Sequence, residues 1–232
     1  MARFLESAAK ILDLILRDLN NLKFWKKNKI KTSKLEIILQ IFFVFIVPVL
    51  LFQVGVIPVS LRLWVLVIIV SLFLFILAKE KWTLAIMHLE TDTIKKFVWP
   101  YVIFTIIGVI IVSFFGEKIG REELAIWWRN SHFIYLFFIV SVFQEVAYRG
   151  YLIPALQKIF NSPILVIFLN ALIFTYMHSI FGNLQISLFL AFIGGLGFAI
   201  MYIKYPNLIL ITLSHAALNF TAVLYGFFLI SK

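Results

Sequence analysis

The chain has 232 residues, 63% of them apolar and 14% charged, with a formal net charge of +10 and no cysteine. A soluble domain of this length needs a polar skin that such a composition does not supply, so a water-soluble globule is excluded and lipid is the solvent. Disulfides, thiolate metal sites and cysteine nucleophiles are excluded with the thiols.

In residues 1–22 the apolar side chains of Phe4, Leu5, Ala8, Ile11, Leu12, Ile15, Leu16, Leu19 and Leu22 recur at helical spacing, opposite Lys10, Asp13 and Arg17. That pattern predicts an amphipathic helix lying in the membrane interface. Glu6, Asp13, Arg17 and Asp18 interrupt any apolar core of a signal peptide. Lys23, Lys26, Lys27, Lys29, Lys31 and Lys34 follow, around Phe24 and Trp25, as a basic anchor for anionic lipid. Residues 1–34 therefore read as an interfacial and basic segment, and residues 35–232 as a transmembrane domain.

Seven hydrophobic runs make up that domain: Leu35–Val56, Leu63–Ala78, Phe97–Phe115, Phe133–Leu152, Ile164–Ile180, Leu184–Tyr205 and Leu208–Ile230. The runs are continuously apolar, without the alternation of barrel strands, so the predicted fold is an all-α, polytopic helical bundle of about seven spans. Most of the 21 basic residues fall on one side if the N-terminus is cytoplasmic, which sets the predicted orientation in a prokaryotic cytoplasmic membrane. The basic residues flank the spans rather than lining a groove, so the partners expected are the bilayer and a membrane-borne substrate, not nucleic acid. No internal repeat is evident, which weakens an inverted-repeat transporter.

Of eleven acidic residues, only Glu145 falls well inside a predicted span, with Arg149 four positions later on the same helix face. His178 and His215 also fall in spans, whereas His88 and His132 fall in loops, and Asn219 follows His215 by four. A charge at membrane depth costs roughly 2.5–3.5 kcal/mol on insertion scales, so such residues face a partner or an aqueous cavity. Taken singly, an ion pair or a His–Asn pair at this spacing serves packing as readily as chemistry. Folding the fourth and fifth runs at Asn161-Ser162-Pro163 sets Glu145 and His178 level. The same ruler leaves His215 roughly 16 Å below His178, a gap that helix tilt or a break at Gly194-Gly195 would close.

These residues resemble the CPBP (CAAX-protease and bacteriocin-processing) family of intramembrane endopeptidases, whose motifs are Glu-Glu-x-x-x-Arg, Phe-x-x-x-His and His-x-x-x-Asn on successive membrane helices. Here they read Gln144-Glu145-x-x-x-Arg149, Phe174-x-x-x-His178 and His215-x-x-x-Asn219, within a motif-bearing core at about 133–230. The resemblance implies a hydrolase that cuts a peptide bond of a membrane-associated protein or peptide, of the CAAX or leader-processing kind. The substrate would enter from the membrane or the cytoplasmic side. It implies that a glutamate and His178 activate water, that His215 and Asn219 hold the oxyanion, and that Arg149 orients the carboxylate.

The first motif glutamate is Gln144 here, and an amide is no base. Either the position was engineered, or Glu145 does the work, or the chain is a pseudoprotease that binds a partner without cleaving it. The retained Glu145, Arg149, His178, His215 and Asn219 favour the first two. On the resemblance, Gln144→Glu raises cleavage. No cofactor is favoured. Zinc held by Glu145, His178 and His215 is the chemical alternative, and a proton-coupled transporter with Glu145 as relay is the functional one.

Overall fold

The computed structural model describes residues 32–79, 87–89, 91–119, 131–180 and 184–227. The predicted interfacial helix and the basic stretch through Lys31 lie outside the described residues. Among the described residues there is no strand, and seven helical rods coincide with the seven apolar runs. They are α1 (Lys34–Gln53), α2 (Arg62–Lys79), α3 (Ile94–Lys118), α4 (131–159), α5 (Pro163–His178), α6 (Leu184–Lys204) and α7 (Leu208–Leu224). The helices α1, α2 and α3, and α6 from Gln185, are long and apolar enough to cross a membrane, which makes the chain an integral membrane protein. Apolar α5 and α7, of 16 and 17 residues, fall short of that length.

Local chemistry sets the ends of the rods. Ser33 and Glu36 form a reciprocal capping box at the start of α1, Ser33 Oγ accepting the Glu36 N–H and the Glu36 carboxylate accepting the Ser33 N–H. Ser162 caps α5 with Pro163 in its first turn, as the Asn-Ser-Pro signal predicts. Asn207 caps α7 through the Leu210 N–H and donates to Thr93 Oγ1, so one side chain ties the start of α7 to the segment leading into α3. The seventh run is predicted through Ile230; α7 stops at Leu224, and residues 228–230 lie outside the described residues. Gly226, at φ +67°, turns the chain there, with the Gly226 N–H on the Val223 carbonyl and the Phe227 N–H on the Ala222 carbonyl.

Two rods carry a π-helical turn, Phe42–Ile46 in α1 and Val146–Leu152 in α4. Each lies just before a proline. Pro48 has no N–H for the carbonyl of Val44, and Pro154 none for that of Gly150, so the regular ladder fails at those carbonyls. The helix widens instead: the Val47 N–H reaches back five residues to Phe42, and the Ile153 N–H to Tyr148. In hydrocarbon, where no water takes up a freed backbone group, such rearrangement is how a proline is tolerated. Pro100 leaves α3 regular, its lost acceptor being Lys96 in the first turn.

Close packing gathers α3, α4 and α7, and α5 against α6. Without a hydrophobic force between helices in lipid, small residues and interhelical hydrogen bonds supply the attraction. Gly108 and Gly116 let α3 approach Leu218 and Tyr225 of the α7 region, and Thr105 Oγ1 donates to Ser214 Oγ at 2.7 Å. A buried aromatic group of Phe45, Phe73, Tyr148 and Tyr151 joins α1 and α2 to α4. Large apolar side chains such as Trp64, Phe75, Ile103 and Ile110 remain exposed on α2 and α3, as lipid-facing surfaces require.

Contacts at the rod ends fix two faces. Lys34 Nζ donates to the Ile159 carbonyl and the Leu208 N–H to the His88 carbonyl at one end. Gln53 Nε2 donates to Ser179 Oγ, and Ser187 Oγ to the Phe227 carbonyl, at the other.

Candidate active site

Glu145 is the last α-helical residue before the π-turn of α4, and Arg149 stands inside that turn. Both side chains are fully buried. The Arg149 guanidinium donates through Nη1 to Glu145 Oε1 at 2.9 Å and through Nη2 to the Gly195 carbonyl of α6 at 3.4 Å. The rings of Phe174 and Phe198 lie 4.9 and 5.1 Å from its carbon, so an aromatic sleeve replaces its hydration shell. Glu145 is the only buried carboxylate among the described residues, and Arg149 the only buried arginine or lysine.

His215, from α7, meets the same carboxylate oxygen, so that Glu145 stands at the apex of a triangle with Arg149 and His215 at its base: the His215 Nδ1 is 2.5 Å from Glu145 Oε1. Its ring lies 4.7 Å from that of Phe198 and 5.5 Å from that of Phe174. Glu145 Oε2 is buried with no hydrogen-bond partner among the described residues. The ruler that set His215 far below His178 is corrected here. The α6 helix runs unbroken through Gly194 and Gly195, so no helix break closes the gap. Phe174, one turn before His178, bridges it, its ring 4.6 Å from the His178 imidazole on one side and close to His215 on the other.

His178 ends α5, buried, its Nδ1 2.8 Å from the Phe174 carbonyl. Hairpin pairing of α4 and α5 holds as the turn signal predicts: Asn170 Nδ2 donates to the Tyr148 carbonyl at 2.9 Å, and the Tyr148 and Phe174 rings meet edge to face. Asn219 reaches the site through an intermediary. Its Nδ2 donates to Ser141 Oγ at 2.9 Å, and Ser141 in turn donates to the Phe137 carbonyl. One turn back on α4, from Glu145 to Ser141, is one turn forward on α7, from His215 to Asn219, so the two helices run antiparallel in register.

Arg149 and His215 thus both bond to Glu145, His178 is one aromatic ring away from His215, and Asn219 bonds to Ser141, one turn before Glu145 on α4. Gln144 is buried beside them, its Oε1 without a hydrogen-bond partner among the described residues. Three participants were not read from the sequence. Ser141 stands one turn before Glu145, a spacing that marks it only once Asn219 is placed. Asn170 stands one turn before Phe174 and holds the π-turn. Gly195 lets α6 close on the site, since a Cβ there would fall 3.1 Å from the Ala171 Cα and 3.2 Å from Phe174 Cδ1.

Among the described residues no three of His, Cys, Asp and Glu are gathered as metal ligands, and Glu145 Oε1 faces Arg149 and the His215 ring nitrogen.

No curated protein and no solved structure matches the chain. A family does: type II CAAX prenyl endopeptidase Rce1-like, over residues 125–221. That stretch contains Gln144, Glu145, Arg149, His178, His215 and Asn219, hence every side chain that the geometry assembles. Residues 125–221 of the chain are thus similar to the Rce1-like family of type II CAAX prenyl endopeptidases, a protease class.

Proposed function

We propose that the protein is an intramembrane endopeptidase that hydrolyses a peptide bond of a membrane-associated protein or peptide, of the CAAX-terminal or leader-processing kind. The observation that carries this reading is the Glu145–Arg149–His215 triangle, buried among apolar helices. A carboxylate that holds an imidazole in place is a hydrolytic device, and an ion pair serving only to join helices needs no histidine on the same oxygen. Asn219 supplies a side-chain amide one turn from His215, suited to a tetrahedral oxyanion. The hydrogen bond to Ser141 uses one Nδ2 proton and leaves the second for substrate.

Water is the nucleophile in this reading and no metal enters it. The N-terminus lies in the cytoplasm, and the substrate reaches the site from the bilayer or from the cytoplasmic face. A second reading, a pseudoprotease that binds a membrane partner, draws support from one observation, the amide at position 144.

Purified protein in liposomes, incubated in ¹⁸O-water with a farnesylated CAAX peptide and a panel of membrane-inserted leader peptides, tests the reading by mass spectrometry. Cleavage with ¹⁸O in the new C-terminal carboxylate, unchanged by a metal chelator, is the expected result. Chelator-sensitive cleavage overturns the metal-free route. Binding of a peptide without any product supports the pseudoprotease.

A further inference from the structure

We propose that Ser141 is a positioning residue of this site: its hydroxyl fixes the direction of the Asn219 amide, so that Nδ2 rather than Oδ1 meets the carbonyl oxygen of the peptide being cut. The inference rests on the endopeptidase reading, in which Asn219 donates to the oxyanion, and it adds the residue that aims that donor.

An asparagine amide has two ends of nearly the same shape and opposite chemistry. Its terminal torsion is broad and roughly two-fold, so a half turn puts the acceptor Oδ1 where the donor Nδ2 stood. Turned that way, Asn219 sets one oxygen against another and opposes the oxyanion. A neighbour has to tell the two ends apart, and on this face of α4 the neighbour is Ser141.

Ser141 does so through the use of its single proton. The side chain is fully buried, and its hydroxyl donates to the Phe137 carbonyl, one turn back on α4, at 2.7 Å. With that proton committed, Oγ faces α7 as an acceptor only. Asn219 Nδ2 meets it at 2.9 Å. Oδ1 in the same place would bring two acceptors together with no proton between them, in a buried interface where water does not make up the loss. The serine therefore selects the amide's direction, and one Nδ2 proton holds that direction while the other serves the substrate.

The surrounding packing keeps the pair in register. The rings of Phe137 and Phe220 meet 5.4 Å apart across the same two helices. One turn away, Glu145 and His215 form the next polar contact between α4 and α7. Four residues of helical rise separate the two contacts by about 6 Å along the axis. The amide is thus held one turn from the buried carboxylate, on the side of Glu145 toward the start of α4.

Two measurements test the proposal. The first needs no substrate: the protein is labelled with ¹⁵N-asparagine in bilayers, and the Asn219 side-chain signals are identified by their loss in Asn219→Ala. Two unequal amide protons are expected. The downfield one should move upfield in Ser141→Ala and stay in Ser141→Thr, whose hydroxyl also reaches back one turn. Asn219 signals unchanged in Ser141→Ala overturn the proposal.

The second is a double-mutant cycle on whichever peptide the parent cleaves, read on variants whose helix content equals the parent's. Outright loss of an oxyanion donor costs about 100- to 1000-fold in kcat, and a donor left free to turn costs less. Ser141→Ala is therefore expected to lower kcat about 10- to 100-fold with KM little changed, and Ser141→Thr to restore it. In an Asn219→Ala background, Ser141→Ala is expected to cause no further loss. The cycle stands without the threonine variant if its added methyl prevents folding. An equal loss in both backgrounds assigns Ser141 to helix packing and overturns the proposal, as does parental kcat in Ser141→Ala. A parent chain that cleaves nothing, with the expected Asn219 signals present, overturns the endopeptidase reading instead.

Discussion

Arg149 shows at residue scale how the membrane constrains chemistry. A guanidinium without water is tolerable only with an anion and polarisable faces around it, and Glu145, Phe174 and Phe198 provide both. Removing it leaves Glu145 as a lone buried charge, so Arg149→Leu is expected to destabilise the protein by about 3–5 kcal/mol. The measurement is thermal unfolding in detergent, and a melting temperature equal to the parent's contradicts the pairing. Position 144 behaves differently. Its amide is buried next to Glu145, and its Oε1 has no hydrogen-bond partner among the described residues, so Gln144→Glu is expected to shift the cleavage rate far less than Glu145→Gln. The intramembrane polar residues were legible in the sequence because each is rare at that depth and each pair repeats at four-residue spacing. Ser141 was not, since a serine in a membrane helix usually bonds its own backbone. Ser141 does so here as well, toward Phe137, while it receives Asn219.

At the scale of the element, the π-turn of α4 is the feature that separates this site from an ordinary helix face. It begins immediately after Glu145 and contains Arg149, and Pro154 compels it by withholding a hydrogen from the Gly150 carbonyl. Pro154→Ala restores that hydrogen and allows regular α winding. The expected outcome is a protein of equal or higher melting temperature that has lost cleavage at least tenfold. Unchanged cleavage contradicts a role for the turn. Both prolines were visible in the sequence, and the local rule predicts a disturbance one turn before each. Whether the helix kinks, breaks or widens depends on the tertiary partners of the freed carbonyls, such as Asn170 at Tyr148, and these no local pattern reveals. The end of α7 has the opposite character: Gly226 marked it, but a hydropathy run continues through a glycine that the backbone does not.

The whole molecule is an antiparallel set of rods whose two ends are distinguished by their polar contacts. Lys34, Ile159, His88 and Leu208 share one end, and Gln53, Ser179, Ser187 and Phe227 share the other. In the proposed orientation, with lysine and arginine in excess inside, the first end faces the cytoplasm. Because the chain lacks cysteine, single substitutions are free of background. Cysteine at Asn161 or Lys204 is expected to react with an impermeant reagent only after sealed cells are opened, and cysteine at Gly55 before. The reverse pattern inverts the topology. Fold class and rod order were legible from composition and run length alone. The depth of His215 was not, because a ruler of residue counts does not show how α4, α5 and α7 pack, and Phe174 is what joins the levels of His178 and His215.

Those motifs meet at Glu145, and comparing the parent with Glu145→Gln in liposomes tests their joint meaning most directly. Both are incubated with the farnesylated CAAX peptide and the leader-peptide panel, and products are identified by mass spectrometry. The substitution keeps size and hydrogen bonding but removes the charge that holds Arg149 and His215. The prediction is a defined cleavage product from the parent and a loss of at least about 100-fold in Glu145→Gln, read on variant protein whose helix content equals the parent's. Equal cleavage by both, or no product from either across the whole panel, contradicts the assignment of this buried triangle as a proteolytic centre.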